Sequence, residues 1–260
     1  MDNDKEKIIQ LFNQNVRGLK ATTTNINQKH DGAKGHRLET QMGISHNNNN
    51  KADLLGYEMK TGTSSGKISF GDWAADYYIF DNEDFFDVSE TRIVRRDQFI
   101  KVFGKFNQTK NRYSWSGEVC PTYYNRRTNS GQMINISPTN DVLIEYNHSE
   151  DFRNDNEIPS YFQKDNLILA KWDAKSLKKK VEKKFNQKGW FKCFINEEGQ
   201  YTSIGFENPI TFEIWIKLLK EGKIFFDSGM YADPNKPNQR FYSQWRAITK
   251  VWDDLIKETY

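Results

Sequence analysis

The run Asp53-Leu54-Leu55-Gly56-Tyr57-Glu58-Met59-Lys60 sets two carboxylates and an ammonium close together in the chain. In an extended strand alternate side chains share a face, so Glu58 and Lys60 project together while Tyr57 and Met59 point the other way. A turn at Gly56 can bring the carboxylate of Asp53 back beside Glu58. Two carboxylates with a nearby backbone carbonyl are hard oxygen ligands suited to Mg²⁺, which keeps several waters and accepts a phosphate oxygen. Such an ion orients water, lowers its pKa and stabilises charge developing at phosphorus. An ammonium at Lys60 would position the nucleophile and help neutralise the transition state. Asp-x4-Glu-x-Lys is therefore a complete set of groups for phosphodiester hydrolysis, although an exposed strand face with an aspartate turn cap has the same spacing.

These groups need elements to hold them. Ile8, Ile9, Leu11 and Phe12 follow a helical period that predicts a first helix ending near Gly18, and residues 22–34 read as a polar loop. Leu38, Met42 and Ile44 predict a short helix that carries Glu39 as a third acidic group, and the asparagines at 47–50 favour turns before Asp53. Strands are expected at 54–60, 67–70, 73–80, 132–136, 142–146, 167–171, 191–196, 201–207 and 223–227. Helices are expected at 96–103, 173–185, 209–222 and 249–258, with Pro209 and Gly222 bracketing the third. Strands and helices interleave without a strict βαβ rhythm, which favours an α/β fold built on a mixed sheet.

Composition limits the partners. With 38 basic and 35 acidic residues the net charge is +3, so a polyanion must be met by local patches. Residues 71–90 hold seven acidic and no basic side chains, whereas 91–130 hold nine basic and two acidic ones interleaved with Tyr113, Trp115, Tyr123 and Tyr124. That mixture suits a phosphate backbone. The lysines of 172–192 surround an amphipathic stripe and read as a solvated helix face. Trp115, Trp190, Trp215 and Trp252 are expected in the core, and His30 and His148 at the surface. Cys120 and Cys193 are too few for a four-ligand zinc site and read as packed thiols. No export signal or apolar run of about 18 residues stands out, so a cytoplasmic protein without a membrane partner is expected.

Glu39 after Leu38, then Gly43-Ile44, a polar loop and Asp-Leu-Leu-Gly-Tyr-Glu-Met-Lys-Thr resemble the catalytic core of the MutH/Sau3AI branch of restriction-like endonucleases, and within it the MvaI and BcnI type. The resemblance extends to Asn125-Arg126-Arg127-Thr128-Asn129-Ser130 as a DNA-contacting segment, to 206–227 as a strand-helix-strand, and to 229–247 as a recognition loop and the arginine after it. It implies a restriction-endonuclease-like mixed central sheet flanked by helices, with a catalytic lobe mainly in 1–120 and a DNA-recognition lobe mainly in 121–260. It also implies a monomeric type II enzyme that uses Mg²⁺ to cut double-stranded DNA at a short CC(N)GG-like site, with a cognate methyltransferase in the same host. Carried over by residue, Asp53 and Glu58 are metal ligands, Lys60 the catalytic lysine and Glu39 the additional acid. Arg240 or Arg246 reads guanine through a two-pronged guanidinium. A histidine near the centre has a role in a relative; His36 and His46 lie nearby in this sequence, and that role stays open between them.

Blander roles stay open beside these. Arg246 equally suits a salt bridge at the start of the last helix. Arg126, Arg127 and Asn129 fit phosphate contact better than base reading. Asp227 either accepts from cytosine N4 or ends a strand. The rival activities are a MutH-like nicking endonuclease and a non-catalytic sequence-specific DNA-binding protein.

Overall fold

Residues 3–21, 33–44, 51–153, 157–233, 235 and 240–260 are described in the computed structural model. The chain begins with helices α1 (Asn3–Asn15) and α2 (Ala33–Gln41), then strands β1 (Tyr57–Thr61), β2 (Lys67–Asp72) and β3 (Tyr77–Tyr78) and helix α3 (Arg92–Phe103). Strands β4 (Lys105–Asn107), β5 (Arg112–Trp115), β6 (Ser130–Ile136), β7 (Val142–Asp151) and β8 (Leu167–Trp172) lead into helix α4 (Ala174–Phe185). Next come β9 (Gly189–Ile195), β10 (Tyr201–Glu207), helix α5 (Phe212–Lys220), β11 (Phe225–Asp227), β12 (Met230–Ala232) and β13 (Gln244–Ile248). Helix α6 (Thr249–Leu255) and β14 (Glu258–Thr259) complete it. Two compact units form, each drawing on both halves of the chain: residues 1–68, 178–215 and 247–260 in one, and 69–177 and 216–246 in the other.

The first unit is organised by a mixed sheet in the order β1-β9-β10-β14. Strand β1 runs parallel to β9, which sets Glu58 opposite Trp190 and Lys60 opposite Lys192, while β10 is antiparallel to both β9 and β14. The period of two separates the faces. Tyr57, Met59, Phe191 and Cys193 join Ile8 and Phe12 of α1, Leu38 of α2 and Met42 just after it in one apolar cluster. The four-residue spacing places each pair on one side, the Met42 amide donating to the Leu38 carbonyl at 2.9 Å as α2 ends. On the opposite face Lys60 lies 5.1 Å from the Phe185 ring and 5.6 Å from the Trp252 ring, and Trp190 meets Trp252 edge-on at 5.0 Å. Covered on both faces, β1 is buried along its whole length.

The second unit contains an antiparallel sheet β3-β8-β7-β6 and two smaller sheets, β12-β5-β4 and β11-β13-β2. Its core is aromatic: Trp172 meets Trp245 at 5.2 Å, Phe226 meets Trp245 at 5.0 Å, and Phe99 meets Trp115 at 4.9 Å. The expected core tryptophans are buried, as are the two free cysteines. No helix among the described residues is long and apolar enough to cross a membrane.

Several elements depart from the sequence expectation. Helix α3 starts at Arg92 rather than 96 because the Thr91 hydroxyl accepts from the Val94 amide at 3.4 Å and caps it. The strand expected at 73–80 is reduced to β3 and a 3-10 turn at Ile79–Asp81. Arg246 does not open a helix: Gln244–Ile248 is a strand with Trp245 and Ala247 buried, so period two overrides the helical reading. Helix α5 starts at Phe212 and ends at Lys220, inside the expected bounds. His30, His46 and the 47–50 run lie outside the described residues.

Candidate active site

A tight turn delivers Asp53 to β1. Leu54 and Tyr57 exchange backbone hydrogen bonds of 2.9 and 2.8 Å, with Leu55 at φ 50° and Gly56 at φ 85°. Two consecutive positive φ values define a type I′ turn, which favours glycine at its second position. The turn folds the chain back so that Asp53 Oδ2 accepts from the Met59 amide at 2.8 Å. One of the carboxylates thereby becomes part of the strand's own hydrogen bonding.

Glu58 is 1% exposed. Its Oε1 accepts from two ammoniums, Lys60 Nζ at 2.7 Å and Lys184 Nζ at 3.0 Å. Its Oε2 is buried with no hydrogen-bond partner among the described residues. Burial, reinforced by the charge of Asp53, pushes the Glu58 carboxyl from 4.5 up to about 7 although Lys60 and Lys184 pull it down. Burial also lowers the pKa of Lys60, against the pull of Glu58. For Lys184 burial acts in the same direction, but Glu58, Asp53 and Glu39 outweigh it and its pKa rises. Glu39 stands on α2, 3.3 Å from His36 Nδ1, and its charge reaches Lys184. The cluster thus contains two carboxylates and two ammoniums, with a third carboxylate acting on the second ammonium.

Comparison with known proteins matches residues 16–260 to the family model of the LlaMI restriction endonuclease. The chain belongs to the LlaMI restriction endonuclease family. It is 41% identical to the type II restriction enzyme ScrFI of Lactococcus lactis subsp. cremoris over 275 residues, covering 100% of both chains. Among solved structures it is similar to the restriction endonuclease MvaI in complex with cognate DNA, with a TM-score of 0.64, 16% identity and coverage of 100% of this chain and 98% of that one. MvaI in the absence of DNA gives a TM-score of 0.48 at 16% identity, with coverage of 100% and 98%. The expected restriction-endonuclease fold is therefore present, and this LlaMI-family member is a restriction endonuclease.

The restriction enzyme's expected DNA-contacting residues fall in the second unit. Arg126 is exposed, 5.0 Å from the Tyr123 ring. Arg127 pairs with Glu150 at 2.7 Å and donates to the Gly131 carbonyl at 3.0 Å. Asn129 is exposed and its carbonyl accepts from the Phe152 amide at 2.9 Å. Asp227 faces Gln244 across β11 and β13, and lies 3.6 Å from Arg246 Nε. Arg240 is exposed, with Tyr242 at 5.8 Å.

Sequence reasoning did not single out Lys184, Gln244 or Asp72. Lys184 had a readable signal: it follows Leu177 by seven residues and Val181 by three, the spacing of the apolar stripe, so it belongs to the buried face of α4. Gln244 donates nothing to the sequence pattern but accepts from the Arg246 guanidinium. Asp72 accepts from the Ser243 amide at 2.8 Å; burial raises its pKa against the pull of that amide, Arg240 and Arg246.

Proposed function

We propose that this restriction endonuclease hydrolyses double-stranded DNA at the Asp53, Glu58 and Lys60 cluster with Mg²⁺, and reads its site through residues of the second unit. The observation that carries the reading is Glu58: a buried carboxylate with two ammoniums on one oxygen and none on the other. An orphaned buried oxygen on a carboxylate that feels the charge of a second one, Asp53, suits a hard divalent cation. No group of three metal-ligating side chains forms among the described residues. Asp53 and Glu58 would therefore be the protein ligands, with water and phosphate completing the shell, as Mg²⁺ accommodates. The chemistry such an ion supplies is acidification of water and neutralisation of charge developing at phosphorus.

The chain's own groups do the rest. Lys60, held at 2.7 Å by Glu58, orients the attacking water and stabilises a non-bridging phosphate oxygen. Lys184 adds a second positive charge on the same carboxylate; against burial, Glu58, Asp53 and, least, Glu39 raise its pKa. Neither ammonium needs to move far, because α4 and β1 fix both stems; this is preorganisation rather than induced rearrangement. In the second unit, Arg126, Arg127 and Asn129 hold the backbone, and Asp227 with Arg240 or Arg246 reads base edges. One such cluster among the described residues fits a monomer that cuts a short CC(N)GG-like site one strand at a time. A cognate methyltransferase would protect the host, without being a bound subunit, and the enzyme would work in the cytoplasm.

Digesting plasmid or phage DNA with the purified protein and Mg²⁺, then sequencing the ends, tests this reading. Discrete fragments with a common end sequence are expected. Relaxed circles without linear product would indicate nicking of the MutH kind, and retarded but intact DNA would indicate a binding protein.

A further inference from the structure

We infer that Arg96 is a positioning residue for sequence discrimination, holding the start of the strand that presents Gln244 and Arg246. The inference rests on the reading of Arg246 or Arg240 as a base reader. Arg96, on α3, is 0% exposed. Its guanidinium donates to the Arg240 carbonyl at 2.9 Å, and to Asp97 from Nε at 2.9 Å and from its second terminal nitrogen. The Phe241 ring lies 5.3 Å from that guanidinium and 4.5 Å from the guanidinium of Arg92, one helical turn earlier. Arg92 is itself fixed by a two-pronged pair with Asp81, at 2.9 and 2.7 Å.

The anchoring continues along the chain. At Ser243 the amide donates to Asp72 at 2.8 Å, the hydroxyl meets the Tyr78 hydroxyl at 2.5 Å, and the carbonyl accepts from the Trp73 amide at 3.1 Å. Arg240, Phe241 and Ser243 are thus held by α3, Asp72, Trp73 and Tyr78 directly before β13 begins at Gln244.

A fully buried guanidinium is a poor source of stability, because a well-packed apolar side chain of similar volume usually serves as well or better. What a guanidinium adds is direction: its planar fork fixes a carbonyl and a carboxylate at set angles. Two-pronged reading of guanine depends on the same kind of angular precision at Arg246. A clamp that sets the path of residues 240–243 therefore sets the position of the reader.

The test uses the full-length enzyme and the site found by digestion. Arg96→Met, Arg96→Lys, Arg92→Ala and Arg246→Ala are compared with the parent for cleavage of the preferred site, for cleavage of each singly substituted site, and for thermal unfolding. Arg92 provides the safeguard against misfolding, since its side chain is 45% exposed. Expected is a tenfold or greater loss of discrimination at one or two base pairs in Arg96→Met, a smaller loss at the same pairs in Arg92→Ala, and partial recovery in Arg96→Lys. A merely structural role would lower the melting temperature or scale all rates together. Unchanged discrimination in the folded Arg96 and Arg92 variants overturns the clamp whatever Arg246→Ala shows. Selective loss in Arg96→Met with uniform loss in Arg246→Ala upholds the clamp and moves base reading to Arg240.

Discussion

Replacing Glu58 by Gln removes the proposed metal ligand, and without metal it should stabilise the protein at neutral pH. Burial raises the Glu58 carboxyl from 4.5 to about 7. A group whose folded pKa lies above its unfolded value contributes fully below the unfolded pKa, and loses that contribution as pH rises through the folded one. At about 1.4 kcal/mol per pH unit, the interval from 4.5 to about 7 is worth about 3 kcal/mol. Glutamine keeps the shape and carries no charge, so the variant does not suffer this loss. In chelator, the two proteins should be close in stability near pH 4, with Glu58→Gln ahead by about 3 kcal/mol near pH 8, or about 6–12 °C in melting temperature for a chain of this size. The assay is thermal or denaturant unfolding across that range. Mg²⁺ at a hundred times its dissociation constant should then return about 2.7 kcal/mol to the parent and nothing to the variant. A parent more stable than Glu58→Gln at pH 8 in chelator would refute the reasoning, since it would show that Lys60 and Lys184 outweigh the burial of the carboxylate.

Asp53→Asn and Glu58→Ala should each lose cleavage by several orders of magnitude while retaining specific binding, as read by digestion beside mobility-shift titration. Lys184→Met should lower the single-turnover cleavage rate by at least about tenfold, whereas the neighbouring exposed Lys183→Met should stay near the parent; equal rates for both would remove Lys184 from the centre. Arg246→Ala should cost about 1–3 kcal/mol at one base pair, while Arg126→Ala should weaken binding to all sequences and reduce the salt slope by about one. Asp151 is paired with Arg153 at 2.6 Å. Burial works against its ionised form, but the Arg153 contacts prevail and its pKa is lowered. Its stabilisation should therefore be present above pH 4 and lost as pH falls below, a dependence that Asp151→Asn should flatten in acid unfolding curves.

How much could be read without a fold is clear from particular residues. The Asp53, Glu58 and Lys60 spacing, the alternation of β1, the stripes Ile8/Phe12 and Leu38/Met42 and the turn at Gly56 are local, and backbone periodicity and turn chemistry report local geometry directly. The sequence by itself determined which groups share one face of β1 and that a turn can return Asp53 to them. It did not determine that this face is closed. That depends on β9 pairing in parallel with β1 and on Phe185 and Trp252 covering Lys60, contacts made by residues more than a hundred positions further on. Only the tertiary structure placed Lys184 on Glu58, turned Arg246 from a helix start into a strand residue beside Asp227 and Gln244, and buried the carboxylate deeply enough to raise its pKa. The physical reason is that desolvation and charge partners are set by what packs around a group, and neither quantity is written in the spacing of its neighbours along the chain.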